Sequence, residues 1–325
     1  MRVAVYHRNS DIRLEDRPVP EIGEGEVLVK VKASGICGTD VMEWYRIKKA
    51  PRILGHEISG DIVRSNDPRY KPGQRVFVSH HVPCFRCKFC NNGDHTACET
   101  LHTGNYDPGG YSEFIRVPKI NVAHGTYILP DNVSYEEGTM IEPLACVLRG
   151  QRVIQVKQGQ TVLVLGCGVS GLMNVQVAKL AGARVIATDR DDYRLKKAKE
   201  YGADQVYHPK DLPPVKADKV IYCTAALPAL KQAFQSLDRK GTLLLFAIPE
   251  TDIQLPTVDF WRNEMTVTSS YGAAPDDLVN AIELIASGKV NMKDLITHKL
   301  PLEKAQEGFR LVAEAKNSLK VILLP

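Results

Sequence analysis

Between residues 26 and 33 the chain alternates, with Val27, Val29 and Val31 on one face and Lys30 and Lys32 on the other. A period of two predicts a strand with one face in a core and the other toward water. Ile58 to Val63 and Arg75 to Val78 continue in the same style, with Pro72-Gly73 marking the turn between them. Residues 1–150 therefore read as a strand-rich domain of short segments broken by turns. After Gly150 the pattern changes. Gln160 to Leu165 is a near-continuous apolar run, as expected of a strand buried on both faces, and it leads through glycines into a helical stretch ending at Ala181. Further units follow: strands at Ala183 to Thr188, Lys219 to Cys223 and Gly241 to Ala247, and a helix at Pro228 to Leu237. A final helix is expected near Pro275 to Ser287, and a closing apolar segment runs from Lys320 to Leu324.

Length and charge narrow the class. A chain of 325 residues, 44% hydrophobic, suits two domains with a core each. Net charge is +4 from 42 basic and 38 acidic residues, so no single-sign field points to nucleic acid or to a membrane surface. The N-terminus enters a strand pattern at once and no apolar run approaches the span of a bilayer. These features set the expectation of a cytoplasmic protein, in which eight cysteines serve as metal ligands or reduced core thiols.

Three motifs carry chemistry. Gly35-Ile36-Cys37-Gly38-Thr39-Asp40 puts a thiol, a hydroxyl and a carboxylate within four residues, followed downstream by Gly55-His56-Glu57 and Glu142-Pro143. Sulfur, imidazole and carboxylate oxygen together form a ligand set suited to zinc; a buried cysteine and a local His-Glu pair is the plainer alternative. Cys84-x2-Cys87-x2-Cys90-x7-Cys98 can wrap one tetrahedral zinc with no open position, in a polar stretch that lacks the apolar residues to fold unaided. A zinc ribbon on nucleic acid would need a basic stripe with interleaved aromatics, which Arg86 and Lys88 do not supply. The third motif is Gly166-Cys167-Gly168-Val169-Ser170-Gly171, between the buried strand and the helix, with Asp189 ending the next strand 23 residues after Gly166. That context predicts a dinucleotide site, the acid facing a ribose 2′-hydroxyl and favouring NAD over NADP, with Arg190 tempering the preference. Alternatively Asp189 caps the helix that starts near Asp191.

With these residues, Gly109-Gly110-Tyr111-Ser112-Glu113-Phe114 and Ile296-Thr297-His298, the chain resembles the zinc-containing medium-chain alcohol dehydrogenases, in the sorbitol (polyol) and threonine dehydrogenase branch. The resemblance covers nearly the whole length. It implies an α/β protein: a GroES-like, strand-rich catalytic domain from residues 1–147 and 273–325, with a structural zinc lobe at about 80–102, and a Rossmann domain with a doubly wound parallel sheet from 148–272. A cleft between them and assembly into homodimers or homotetramers are also implied.

Carried over by residue, the resemblance assigns a catalytic zinc to Cys37, His56 and Glu57, with Glu142 a further metal residue that holds the metal water or substrate or exchanges with Glu57. Direct ligation by Glu142 would make the site anionic and a poorer stabiliser of alkoxide. Cys84, Cys87, Cys90 and Cys98 take a structural zinc. Asp40 orients His56, and Thr39 passes a proton. NAD falls to Gly166, Gly168, Val169, Ser170, Gly171, Asp189 and Arg194. The implied activity is NAD-linked oxidation of a secondary alcohol, a small-molecule polyol, with no nucleic-acid or membrane partner; threonine oxidation and a non-catalytic nucleotide-binding role are the alternatives. One position departs: family members often carry a histidine five residues after the ligand cysteine, and here Met42 stands there, so that either water completes the proton relay or a histidine from elsewhere, such as His80 or His81, stands in.

Overall fold

The strand Val27–Gly35 buries Val27, Val29, Val31 and Ala33 completely; on its other face Lys30 is exposed and Lys32 half-buried, while Leu28 and Ser34 at either end are buried too. The computed structural model, describing residues 1–325, places this strand at the centre of a seven-stranded sheet. Its antiparallel neighbours are Glu57–Ser65, Phe114–Val117 and, at its last two residues, Lys320–Leu324. Arg75–Ser79 and Thr126–Ile128 continue beyond Glu57–Ser65, and Ile296–Pro301 runs parallel to Lys320–Leu324. A three-stranded sheet of Asp11–Asp16, Arg2–Arg8 and Arg52–Ile53 accompanies it.

Two compact units divide the chain, Met1–Ala145 with Ala273–Pro325, and Cys146–Gly272. In the second, six parallel strands form one sheet in the order Gln205–Tyr207, Arg184–Thr188, Thr161–Leu165, Ala217–Tyr222, Leu237–Leu245 and Thr266–Ser269. Numbered by sequence within the unit this is 3-2-1-4-5-6, the doubly wound order of dinucleotide-binding folds. Val162, Leu163, Val164 and Leu165 are fully buried, as a strand covered on both faces requires.

The helix Pro275–Ala286 is not the final one. Ala305–Glu314 forms another, burying Ala305, Gly308 and Phe309 among Tyr6, Ile36, Tyr111 and Leu323. Its apolar stripe is short and interrupted by Gln306, Glu307 and Arg310, and its packing partners are far away in sequence, which hides it from a local reading. No helix is long and apolar enough to cross a membrane.

Candidate functional site

Strand register assembles the first site. Gly35 lies opposite Glu57 on one side and opposite Ile322 on the other, so the ends of three strands meet there. Cys37 follows as the N-cap of the turn Gly38–Val41, its sulfur accepting from the Thr39 amide at 3.5 Å. His56 directly precedes Glu57–Ser65. The Cys37 sulfur, a His56 ring nitrogen and a Glu57 carboxylate oxygen all lie within 4.8 Å of one another. Glu142, on the helix Ile141–Val153, is buried and close enough for its charge to act on His56, but it stands outside that three-atom set.

Asp40 is fully buried beneath the cluster. Its carboxylate accepts from the Cys37 amide at 3.2 Å, the Tyr111 hydroxyl at 2.6 Å and Arg46 Nη2 at 3.1 Å, and lies 3.6 Å from His56 Nδ1. Burial works against the His56 imidazolium, yet the negative charge of Asp40, Cys37 and Glu142 lifts its pKa to about 10. The donor set therefore fits a divalent cation: a thiol, an imidazole and a carboxylate converge in a field that already attracts positive charge.

A further cation is already in place. Lys320, 2% exposed, forms an ion pair with Glu57, itself 1% exposed. Burial disfavours the ammonium, but the charges of Glu57 and Cys37 outweigh it and raise its pKa. Gly35 makes room: a side chain there would run into the Glu57 carboxylate and come within 2.7 Å of Lys320 Cε. Thr297 Oγ1 fixes the lysine's strand, donating to the Lys320 carbonyl at 3.2 Å and accepting from the Leu319 amide at 3.0 Å.

Thr39 is exposed beside the cluster. Its hydroxyl donates to Cys37 Sγ at 3.3 Å and accepts from Arg46 Nη2 at 3.0 Å. A guanidinium does not give up its proton at neutral pH, so Arg46 orients this hydroxyl without extending a relay. His80 stacks near His56, with ring centroids 4.9 Å apart, and near His81 at 3.6 Å. Burial, reinforced by neighbouring positive charge, holds His80 well below the ordinary histidine range and His81 at about 3. Bases this weak are poorly matched to relay duty at neutral pH.

In the lobe, the Cys84, Cys87, Cys90 and Cys98 sulfurs also lie within 4.8 Å of one another, with Cys87 and Cys90 3.6 Å apart and Cys84 and Cys90 4.0 Å apart. Tetrahedral Zn–S bonds of about 2.3 Å put sulfurs roughly 3.8 Å apart, which these separations match. Burial works against a Cys98 thiolate, but the Cys84 and Leu101 amides and neighbouring thiols draw its pKa down to about 6.

The glycine loop begins with Gly166 at φ +93, where a side chain would press on the Cys223 carbonyl. Gly168 faces open space, leaving its surface free for a ligand, whereas a side chain on Gly171 would strike the Gly166 carbonyl. Gly168 is the N-cap of Val169–Leu180 without a side-chain cap, so the first amides, including those of Ser170 and Gly171, can meet a pyrophosphate. Asp189 accepts from the Cys167 amide at 2.6 Å and the Asp191 amide at 3.0 Å. Asp191, rather than Asp189, is the N-cap of Asp192–Glu200, and Arg194 lies near enough for its charge to act on Cys167.

Of the residues now joined, Lys320 and Arg46 escaped the sequence reading. A lysine opening the apolar run Val321–Leu324 was the available signal for the first; Arg46 lay in a basic run with no distinguishing mark.

Residues 23–131 match the alcohol dehydrogenase GroES-like domain, and residues 170–287 the zinc-binding dehydrogenase family. Sorbitol dehydrogenase of Gallus gallus is 34% identical, with 98% of this chain and 95% of that protein covered. Among solved structures, galactitol-1-phosphate dehydrogenase of Escherichia coli superposes with a TM-score of 0.88 at 26% identity, covering 100% of both chains. A protein of Sinorhizobium meliloti 1021 described as a zinc-binding dehydrogenase, solved with NADP, gives a TM-score of 0.88 at 28% identity over 100% of this chain and 99% of that one. Two domain matches in tandem and near-complete coverage of a 34% identical relative place the chain in the zinc-binding alcohol dehydrogenase family.

Proposed function

We propose that the chain is an NAD-linked zinc dehydrogenase of small secondary alcohols, of the polyol class that its sorbitol- and galactitol-phosphate-dehydrogenase relatives are named for. The observation that carries the reading is the meeting of Cys37, His56 and Glu57 beside the Thr39 hydroxyl. Those three residues would hold a zinc ion, and Cys84, Cys87, Cys90 and Cys98 a second. When bound, zinc lowers the pKa of an alcohol and NAD accepts its hydride. The chain's own residues supply position. Asp40 fixes the Cys37 turn and faces His56, Lys320 holds Glu57, and Thr39, oriented by Arg46, keeps a lone pair for the reacting hydroxyl. Glu142 adds buried negative charge next to His56, suited to accepting from a second hydroxyl of a polyol.

Asp189 supports NAD over NADP, because its carboxylate can accept from a ribose 2′-hydroxyl and would repel a 2′-phosphate; the NADP complex of the S. meliloti relative makes this a matter for measurement. A homodimer or homotetramer without nucleic-acid or membrane partners, acting in the cytoplasm, completes the reading. Metal content together with NAD and NADP reduction over sugar alcohols, vicinal diols and L-threonine tests it. The expected result is two zinc ions per chain and turnover with NAD, and Cys37→Ser should retain only the lobe ion and lose turnover. Zinc in the lobe alone, under conditions where both sites could load, would overturn the reading.

A further inference from the structure

The strand pairing that positions Glu57 also brings a second imidazole to the site. Ser79 ends its strand opposite Glu57 in an antiparallel pair, so one step further along each chain sets His80 across from His56. The two rings have centroids 4.9 Å apart and are tilted by 52°. Hydrogen bonds pin the backbone that carries His80. Asn121 Nδ2 donates to the Ser79 and His80 carbonyls at 2.9 and 3.1 Å, the Ser79 amide donates to the Gly125 carbonyl at 2.7 Å, and Ser79 Oγ donates to the His81 carbonyl at 2.9 Å. The ring itself is not engaged in this way. It is only 8% exposed, Nδ1 is buried without a hydrogen-bond partner, and Nε2 makes no hydrogen bond either.

Leaving a buried polar nitrogen unpaired is unfavourable, and an exception of this kind beside a candidate site is accounted for when a ligand completes it. Next to a place for a cation an imidazole stays neutral, so the ring offers one donor and one acceptor, the combination that an alcohol hydroxyl matches. We propose that the His80 ring is a specificity-determining contact that hydrogen-bonds a hydroxyl on the carbon next to the reacting one, so that the preferred substrates are vicinal diols. The inference rests on the dehydrogenase reading above and narrows its substrate class. A ring opposite His56 stands at the range of the atoms that adjoin the reacting carbon, and a monohydric alcohol would leave its nitrogens unpaired. A site built to bond a hydroxyl discriminates against the analogue that lacks it.

The test compares kcat/KM of the zinc-loaded protein with NAD for the stereoisomers of 2,3-butanediol and of 2-butanol, which share a carbon chain and differ by the second hydroxyl. The best diol should exceed the best butanol by about tenfold or more. His80→Phe keeps a ring and removes both nitrogens, and it should cut that ratio by about fivefold or more. His80→Gln, which keeps a donor and an acceptor, should restore part of it. Zinc content should match wild type, and His80→Phe should melt within about 2 °C of wild type or above it, because the substitution removes an unpaired buried nitrogen. If His80→Phe melts well below wild type, His80→Leu, smaller and equally without donors, replaces it under the same criterion. A wild-type ratio near one, or the same ratio in wild type and variant, would overturn the contact, as would an effect confined to the KM for NAD. Absence of turnover with every alcohol would strike the dehydrogenase reading alone. Binding of 2,3-butanediol to the zinc-loaded protein, followed by ligand-observed NMR, then decides the contact: weaker binding by His80→Phe supports it, and equal affinity overturns it.

Discussion

Replacing Lys320 by Met separates the two duties of Glu57. The lysine and the carboxylate are almost wholly buried and paired with each other. Removing one partner of such a pair leaves an uncompensated buried charge, at a cost of about 3–5 kcal/mol. For a folding unit of roughly 150–250 residues each kcal/mol moves Tm by about 2–4 °C, so Lys320→Met should melt roughly 6–20 °C lower. The measurement uses protein treated with a mild chelator so that the Cys37 site is empty while the lobe keeps its ion, checked by metal content. Lys320→Met/Glu57→Gln should recover much of the loss in that state, because no buried charge is then orphaned. Restoring zinc to Lys320→Met should raise its Tm more than it raises that of wild type, since a cation at the Cys37 site then supplies the missing positive charge. A Lys320→Met protein melting within 2 °C of wild type, or a double variant no better than the single, would refute the argument.

Asp189→Ala removes a charged hydrogen-bond acceptor worth about 1.5–3 kcal/mol, or roughly a 10–100-fold rise in the KM for NAD with a smaller change for NADP; equal changes would count against its ribose role. Glu113 accepts from the Arg2 amide at 2.7 Å and from its side chain at 2.8 and 3.0 Å, and these bonds, the amide foremost, hold its pKa below the usual 4.5. A depressed carboxyl pKa contributes stability above the unfolded value that is lost as pH falls through the folded one. Glu113→Gln should therefore lower Tm at pH 7 and converge with wild type as pH falls below the depressed folded-state pKa; parallel curves would remove Glu113 from the acid response.

The cysteine lobe and glycine loop were legible because their chemistry is local. Cys84 to Cys98 span one short segment, and Gly166 to Gly171 form one turn between a strand and a helix, so spacing alone brings the relevant atoms near each other. The strands Val27–Gly35 and Thr161–Leu165 were readable from their hydrophobic patterns, although the first runs two residues past the alternating stretch. The helix Ala305–Glu314 was not, since its buried face is defined by Tyr6, Ile36 and Tyr111, residues supplied from the other end of the chain.

Glu57 shows how a motif can name a candidate ligand and still leave its surroundings unread. Next to His56 in sequence, it reads as a carboxylate for a metal. Only the pairing of Gly35 with Ile322 brings Lys320 over the same glycine and gives that carboxylate a resident counter-charge. Two cations could thus draw on one buried anion: the ammonium fixed by the C-terminal strand and a metal ion, which Cys37 and His56 would hold. The lysine prevents Glu57 from being an orphaned charge when the metal site is empty. With a metal bound, it would also withdraw electron density from the carboxylate, which would leave the ion less neutralised than a count of ligand charges suggests and better able to polarise an alcohol. The ammonium that bears on this site is one that no motif announces and that strand register explains.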